Sequence, residues 1–138
     1  MIPAVWDDGA MDRATVEQWV VGYERAWRAP GTDALADLFA PDATYLMSPW
    51  ATPAVGRDAI AELWEAERVG PDEVFTLAGE VVAVDDDAGT AVVRLAVDYG
   101  DPVTSRWRDL WVLRFDGEGR CTEFEEWPFA PDQPDGHG

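Results

Sequence analysis

The sequence predicts an α+β domain in which three helices precede a twisted, mostly antiparallel sheet. Two observations carry this reading. Up to about residue 70, apolar residues recur at helical spacing, and beyond it long runs rich in β-branched and aromatic residues are cut by Asp, Gly and Pro turns. A third observation sets the scale: 138 residues, 47% hydrophobic with 8 Trp, suffice for one domain with a real core. Helices laid over the concave side of such a sheet leave a conical cavity, a common form of small-molecule pocket.

The elements follow in order. Residues 1–12 read as an arm in which Val5 and Trp6 have the option of tucking against the body, and 130–138 as a flexible tail too rich in Pro, Gly and Asp to pack. The domain itself is 13–129. Thr15 and Gln18 suggest a capping box for a first helix with Val16, Trp19, Val20, Tyr23 and Trp27 along one face, ended by Pro30-Gly31. Thr32 or Asp33 would cap a short second helix with Leu35, Leu38 and Phe39 inward, broken by Ala40-Pro41-Asp42. A strand over 43–48 leads into a loop with Pro49, Trp50 and Pro53. Gly56-Arg57-Asp58 opens a third helix that buries Ile60, Leu63 and Trp64 and is closed by Gly70-Pro71. Long strands are expected over 74–84 and 90–99, with Val93, Leu95 and Val97 inward and Arg94 outward.

The Thr104–Phe129 stretch is a β-hairpin about the Asp116–Gly119 turn. A four-residue loop would pair Phe115 with Arg120, Trp111 with Phe124, and Asp109 with Glu126. All share one face with Trp107. A one-residue slip would instead set Trp111 against Glu125. Two carboxylates directly opposed are unfavourable, so Asp109 and Glu126 either share a proton in a cavity, as an acid–base pair, or sit solvated at its mouth, or bind an Arg from a loop or helix. Tyr23 is a candidate hydrogen-bond donor. Trp27, Trp64, Trp107, Trp111 and Phe124 either line an aromatic cavity or fill the core. Tyr45 and Trp50 stand where the first strand meets the loop over the mouth, Trp50 as a lid candidate. Arg106, Arg108 and Arg114 against Glu123 and Glu125 suggest ion pairs on the outer face, where Leu110, Val112 and Trp127 add apolar area for a dimer. Arg57 reads as structural and Cys121 as inert.

Composition excludes as much as it suggests. Ten Arg and no Lys against 28 acidic residues give a formal charge of −18, which speaks against nucleic acid and anionic membranes. Without Lys there is no Schiff base. With Cys121 as the sole cysteine and His137 as the sole histidine, a disulfide, a His-dependent triad and a His- or Cys-ligated metal are not expected. No cofactor is called for. No apolar run reaches membrane length, and residues 1–12 lack the basic and apolar regions of a signal peptide, so a cytoplasmic location is expected.

Three motifs in this order carry a resemblance: Leu-Ala-Asp-Leu-Phe-Ala-Pro-Asp-Ala-Thr-Tyr at 35–45, Val-Gly-Arg-Asp-Ala-Ile at 55–60 and Trp-Val-Leu-Arg-Phe-Asp-Gly-Glu-Gly-Arg at 111–120. Over residues 13–129 the chain resembles the nuclear transport factor 2-like superfamily, in its SnoaL-like bacterial branch. The resemblance implies a cone-shaped, cystatin-like α+β barrel, three N-terminal helices on a strongly curved, mixed, mostly antiparallel sheet, and frequently a dimer through the convex face. Hydrolases, cyclases, isomerases, dehydratases and non-catalytic binding modules all share it. The steroid-isomerase pattern carries over at Tyr23 but fails at Met47 or Ser48, where its base would stand, and at Trp111, where its acidic donor would. The dehydratase histidines are absent, and the Arg-x-Asp of the limonene-epoxide-hydrolase type is not found around Asp109. The resemblance leaves a ligand-binding cavity with acid/base chemistry as one expectation and a non-catalytic binding or association domain as the other.

Overall fold

The computed structural model describes residues 11–70 and 72–133. The expected arm over residues 1–10, Pro71, and the tail from 134 on with His137 lie outside the described residues. Helix α1 is Arg13–Arg28, α2 Leu35–Leu38 and α3 Arg57–Glu67. Strands β1 to β6 are Phe39–Leu46, Ala54–Val55, Phe75–Asp85, Thr90–Tyr99, Ser105–Phe115 and Cys121–Phe129. They form one curled, open sheet in the order β2-β1-β6-β5-β4-β3, antiparallel throughout except for the parallel β1–β6 pair.

Helix α1 starts one turn earlier than its apolar stripe suggested. Asp12, not Thr15, is the cap: its carboxylate accepts from the Thr15 backbone N–H at 2.9 Å, and the Thr15 hydroxyl closes the box on the Asp12 backbone. Met11 is buried and its N–H donates to Asp86, so packing begins before residue 13. The helix presents Val16, Trp19, Val20 and Tyr23 to the sheet. It crosses β3 at Gly79, where an added Cβ would lie 3.3 Å from Val20. Arg13 donates to the Val81 carbonyl and Arg28 to the Phe75 carbonyl, so both ends of α1 are tied to the edge strand.

The segment after α2 departs from expectation. Phe39 opens β1 rather than closing a helix, and Ala40-Pro41-Asp42 lies within that strand, whose pairing to β6 is interrupted between Phe39 and Thr44. An edge or irregular position tolerates Pro because no ladder N–H is demanded there. Helix α2 has no side-chain cap, so neither Thr32 nor Asp33 plays that part. The two-residue β2 inside the expected loop pairs Thr44 with Val55 and Tyr45 with Ala54.

The outer face carries Arg94–Glu80, Arg108–Asp98 and Arg114–Glu123 ion pairs, all solvent-exposed or nearly so. Arg108 thus reaches β4 rather than the glutamates of β6, and Glu125 instead accepts from the Trp127 indole N–H. Such pairs each contribute about 0–1 kcal/mol. The inner face carries the core. Trp19 meets Phe39, Phe115 and Trp111 edge-on, and Phe124 stacks against Tyr45 at 4.3 Å between ring centroids.

Candidate functional site

The site begins with the register of β5 on β6. The loop is five residues, Asp116 to Arg120, closed by the Asp116 N–H on the Arg120 carbonyl at 3.0 Å, so Phe115 pairs with Cys121. A second irregularity follows at once, and Arg114 pairs with Glu123. Each one-residue slip flips the side chains between faces, and the two together restore them. Trp111 therefore faces Glu126 and Asp109 faces Pro128, correcting the direct Asp109–Glu126 pairing expected from a four-residue loop. Both carboxyls still point to the inner face, now as diagonal neighbours.

They meet at a cavity of about 450 Å3 between the inner sheet face and α1, within the range of small-molecule sites. Asp109 is 7% exposed, and its Oδ1 is buried with no hydrogen-bond partner. Burial raises its carboxyl above the ordinary range, partly offset by Glu126 and the Phe129 backbone N–H. Burial likewise raises Glu126, and its contact with Asp109 raises it further, while the Trp111 indole N–H, 3.5 Å away, works against the shift. Two such groups cannot both ionise cheaply, so loss of the second proton from the pair is disfavoured.

Deeper in, the Tyr23 and Tyr45 hydroxyls lie 2.6 Å apart. Burial raises both well above the usual phenol value, with Glu126 adding to each, so they stay neutral. One hydroxyl donates to the other, which keeps its own proton free for a ligand oxygen. Tyr99 is raised to about 12 by burial and then by Glu73, Glu126, Asp109 and Glu67.

Tyr23, Trp27, Tyr45, Trp107, Trp111 and the two carboxyls all line the cavity. Three expected members do not. Trp64 and Phe124 are 1% exposed and stand behind the wall as core. Trp50 is 97% exposed and away from the cavity, so it is no lid in this conformation. Tyr45, expected at the mouth, is instead 3% exposed beside Tyr23. Sequence reasoning missed Glu67, Glu73, Phe75 and Tyr99. The Val93–Leu95–Val97 alternation, carried one step further, turns Tyr99 inward, and its pairing with Phe75 brings that ring along. Glu67 and Glu73, at the end of α3 and just before β3, bore no pattern that distinguished them. Arg57 donates to the Ala36 carbonyl, and buried Cys121 has its thiol pushed up by burial, as their structural readings require.

The SnoaL-like domain profile matches residues 20–124. The chain belongs to the SnoaL-like family. Among solved structures, a protein of unknown function with cystatin-like fold from Methylobium petroleophilum PM1 superposes with a TM-score of 0.68 at 18% identity, over 92% of this chain and 83% of that one. The epoxide hydrolase/cyclase-like enzyme SalBIII, of pyran ring formation in the polyether salinomycin, gives 0.66 at 18% identity over 86% and 93%. A ketosteroid isomerase-like protein from Erwinia carotovora atroseptica gives 0.60 at 27% identity over 86% and 97%. No curated protein of similar sequence was found. Among the described residues no helix is long and apolar enough to cross a membrane.

Proposed function

We propose that this SnoaL-like protein is an acid–base enzyme acting on a small, largely apolar, oxygen-bearing molecule. The observation that carries the reading is the Asp109–Glu126 pair, held in an aromatic cavity with one Asp109 oxygen unpartnered. A pair with one proton supplies an acid and a base together. The protonated carboxyl gives its proton to a departing oxygen as a C–O bond breaks. The ionised one takes the proton of an attacking water or hydroxyl as the new C–O bond forms. The pair ends with one proton, on the other carboxyl. Opening of an epoxide by water or by an internal hydroxyl fits this pattern, and the likeness to a hydrolase/cyclase-like enzyme lends it support at the level of fold. The free hydroxyl of the Tyr23–Tyr45 pair would orient the substrate oxygen.

Met47 favours a second reading, a binding module without turnover. It lines the cavity where the resemblance would put a base, and a thioether moves no proton. Epoxy-alcohols and cyclic ketones incubated in 18O-labelled water separate the two. Labelled diol or cyclised product, lost in Glu126→Gln while the probe still binds, is the expected result. Binding without product, with both carboxyl carbons titrating in the ordinary range by 13C NMR, leaves the binding module.

Exposed Leu110, Trp127 and Phe129 on the outer face, at 38%, 39% and 52%, are read as a self-association surface. Light scattering tests it: Trp127→Glu would convert a dimer to a monomer. The charge of −18 supports an absence of nucleic-acid and anionic-membrane partners, and we place the protein in the cytoplasm.

A further inference from the structure

The cavity wall has a lopsided chemistry. Four carboxylates line it (Glu67, Glu73, Asp109 and Glu126), and no Arg does. They act as one field: all four raise Tyr99, and Glu67 also raises Glu126. The rest of the wall is largely aromatic. Two of its rings already take cations from behind. The Arg28 guanidinium lies 3.8 Å from the Phe75 centroid, and that of Arg68 lies 5.9 Å from Trp27. Neither Arg lines the cavity; Arg28 is paired with Glu24, and Arg68 with Glu65 and carbonyls at the end of α1.

The carboxylates are graded by depth. Glu67 is exposed and Glu73 half-buried, whereas Asp109 is nearly sealed and leaves Oδ1 without a partner. An acidic, ring-walled cleft concentrates positive charge, and desolvated aromatic faces bind ammonium groups. Among the described residues no group of three or more acidic, His or Cys side chains is gathered closely enough to hold a metal ion, which favours a bulky organic cation.

We propose that the cavity takes a cationic organic ligand: an apolar body bearing an amine or quaternary ammonium group, whose positive head rests between Glu67, Glu73 and the Tyr99 ring while the body reaches inward to Asp109 and Glu126. This rests on the ligand cavity proposed above and adds the charge of what fills it. The outer pair binds the head, so the inner pair keeps its shared proton for chemistry.

The test uses three probes of similar length: phenethyltrimethylammonium, neutral 4-phenylbutan-2-one and anionic 3-phenylpropanoate. Their binding to the full chain is read by Trp fluorescence and calorimetry. The cation is expected to bind about tenfold more tightly than the ketone, with the anion weakest. In Glu67→Gln/Glu73→Gln, at partly exposed positions that spare the core, the cation and ketone should come within about twofold. Ketone binding as tight as the cation's overturns the inference and leaves the cavity reading standing. No binding by any probe to folded protein overturns both. A cation preference untouched by the double substitution also overturns the assignment, since it would reflect the overall charge rather than this wall.

Discussion

The two ends of the β5–β6 hairpin face the same way and are built from similar residues, yet one is solid and the other hollow. Near the loop, Leu113, Phe115, Cys121 and Phe124 are all at most 9% exposed, and Trp19 of α1 plugs the space edge-on against Phe115. At the far end, Trp107, Asp109 and Glu126 stand around a cavity. Helix α1 accounts for the difference. Its large rings fall on the loop end, and past Tyr23 the stripe offers only Ala26 and half-buried Trp27 before the helix stops at Arg28. What is left uncovered is the space that holds the carboxyls. Aromatic content alone therefore does not mark a pocket; what decides is whether a facing element fills the rings' other side.

The sharpest way to break the contrast is at its chemical end. Glu126→Gln removes the shared proton's partner and should lower turnover by about 10²–10⁴. The same change should stabilise the fold at neutral pH. Burial raises both carboxyls above their ordinary values of 3.8 and 4.5. The folded protein thus keeps a proton that the unfolded chain releases, so stability is full below about pH 4 and falls as pH climbs through the raised folded value. In Glu126→Gln that decline should flatten and the neutral-pH melting temperature rise by roughly 3–5 °C. A variant whose melting temperature fell between pH 5 and pH 7 as steeply as the parent's would argue against a raised pair.

At the solid end, Phe124→Ala empties a site packed by Tyr23, Tyr45 and Trp111, and should cost about 3–5 kcal/mol by urea titration. Trp107→Ala, on the hollow side, should cost only about 1 kcal/mol because that ring is half-exposed, while weakening probe binding about fivefold. Trp50→Ser should change stability by less than about 0.5 kcal/mol, its ring being almost wholly in solvent. If Trp107→Ala proved as damaging as Phe124→Ala, the two ends would not differ as described.

The same comparison marks what the sequence could and could not tell. Val16, Trp19, Val20 and Tyr23 named the buried face of α1, because helical periodicity is a local property. The long strands were legible for the same reason, β4 to the residue. Phe39–Asp42 was misread as a helix and its break, because a parallel partner strand, met at Cys121 far along the chain from Phe39, overrides local preference. The face shared by Asp109 and Glu126 was right although their pairing was not, since two slips cancelled. Trp64, Phe124 and Trp50 could not be sorted into core, wall and solvent, because that depends on how far α1 extends over the sheet. Glu67 and Glu73 come to the cavity from an α3 end and a connection, and only the tertiary path of the chain puts them there.

The strand order has one more consequence. Strand β6, the last of the described strands, is inserted between the first, β1, and β5. Until it docks, β1 has only the two residues of β2 beside it, and the sheet exists as two separate pieces. Joining them requires contacts of large sequence separation, the slow kind in folding. Glu126 sits on that same strand. An intermediate that lacks β6 therefore carries neither a complete cavity nor the carboxyl pair, only Asp109 on β5.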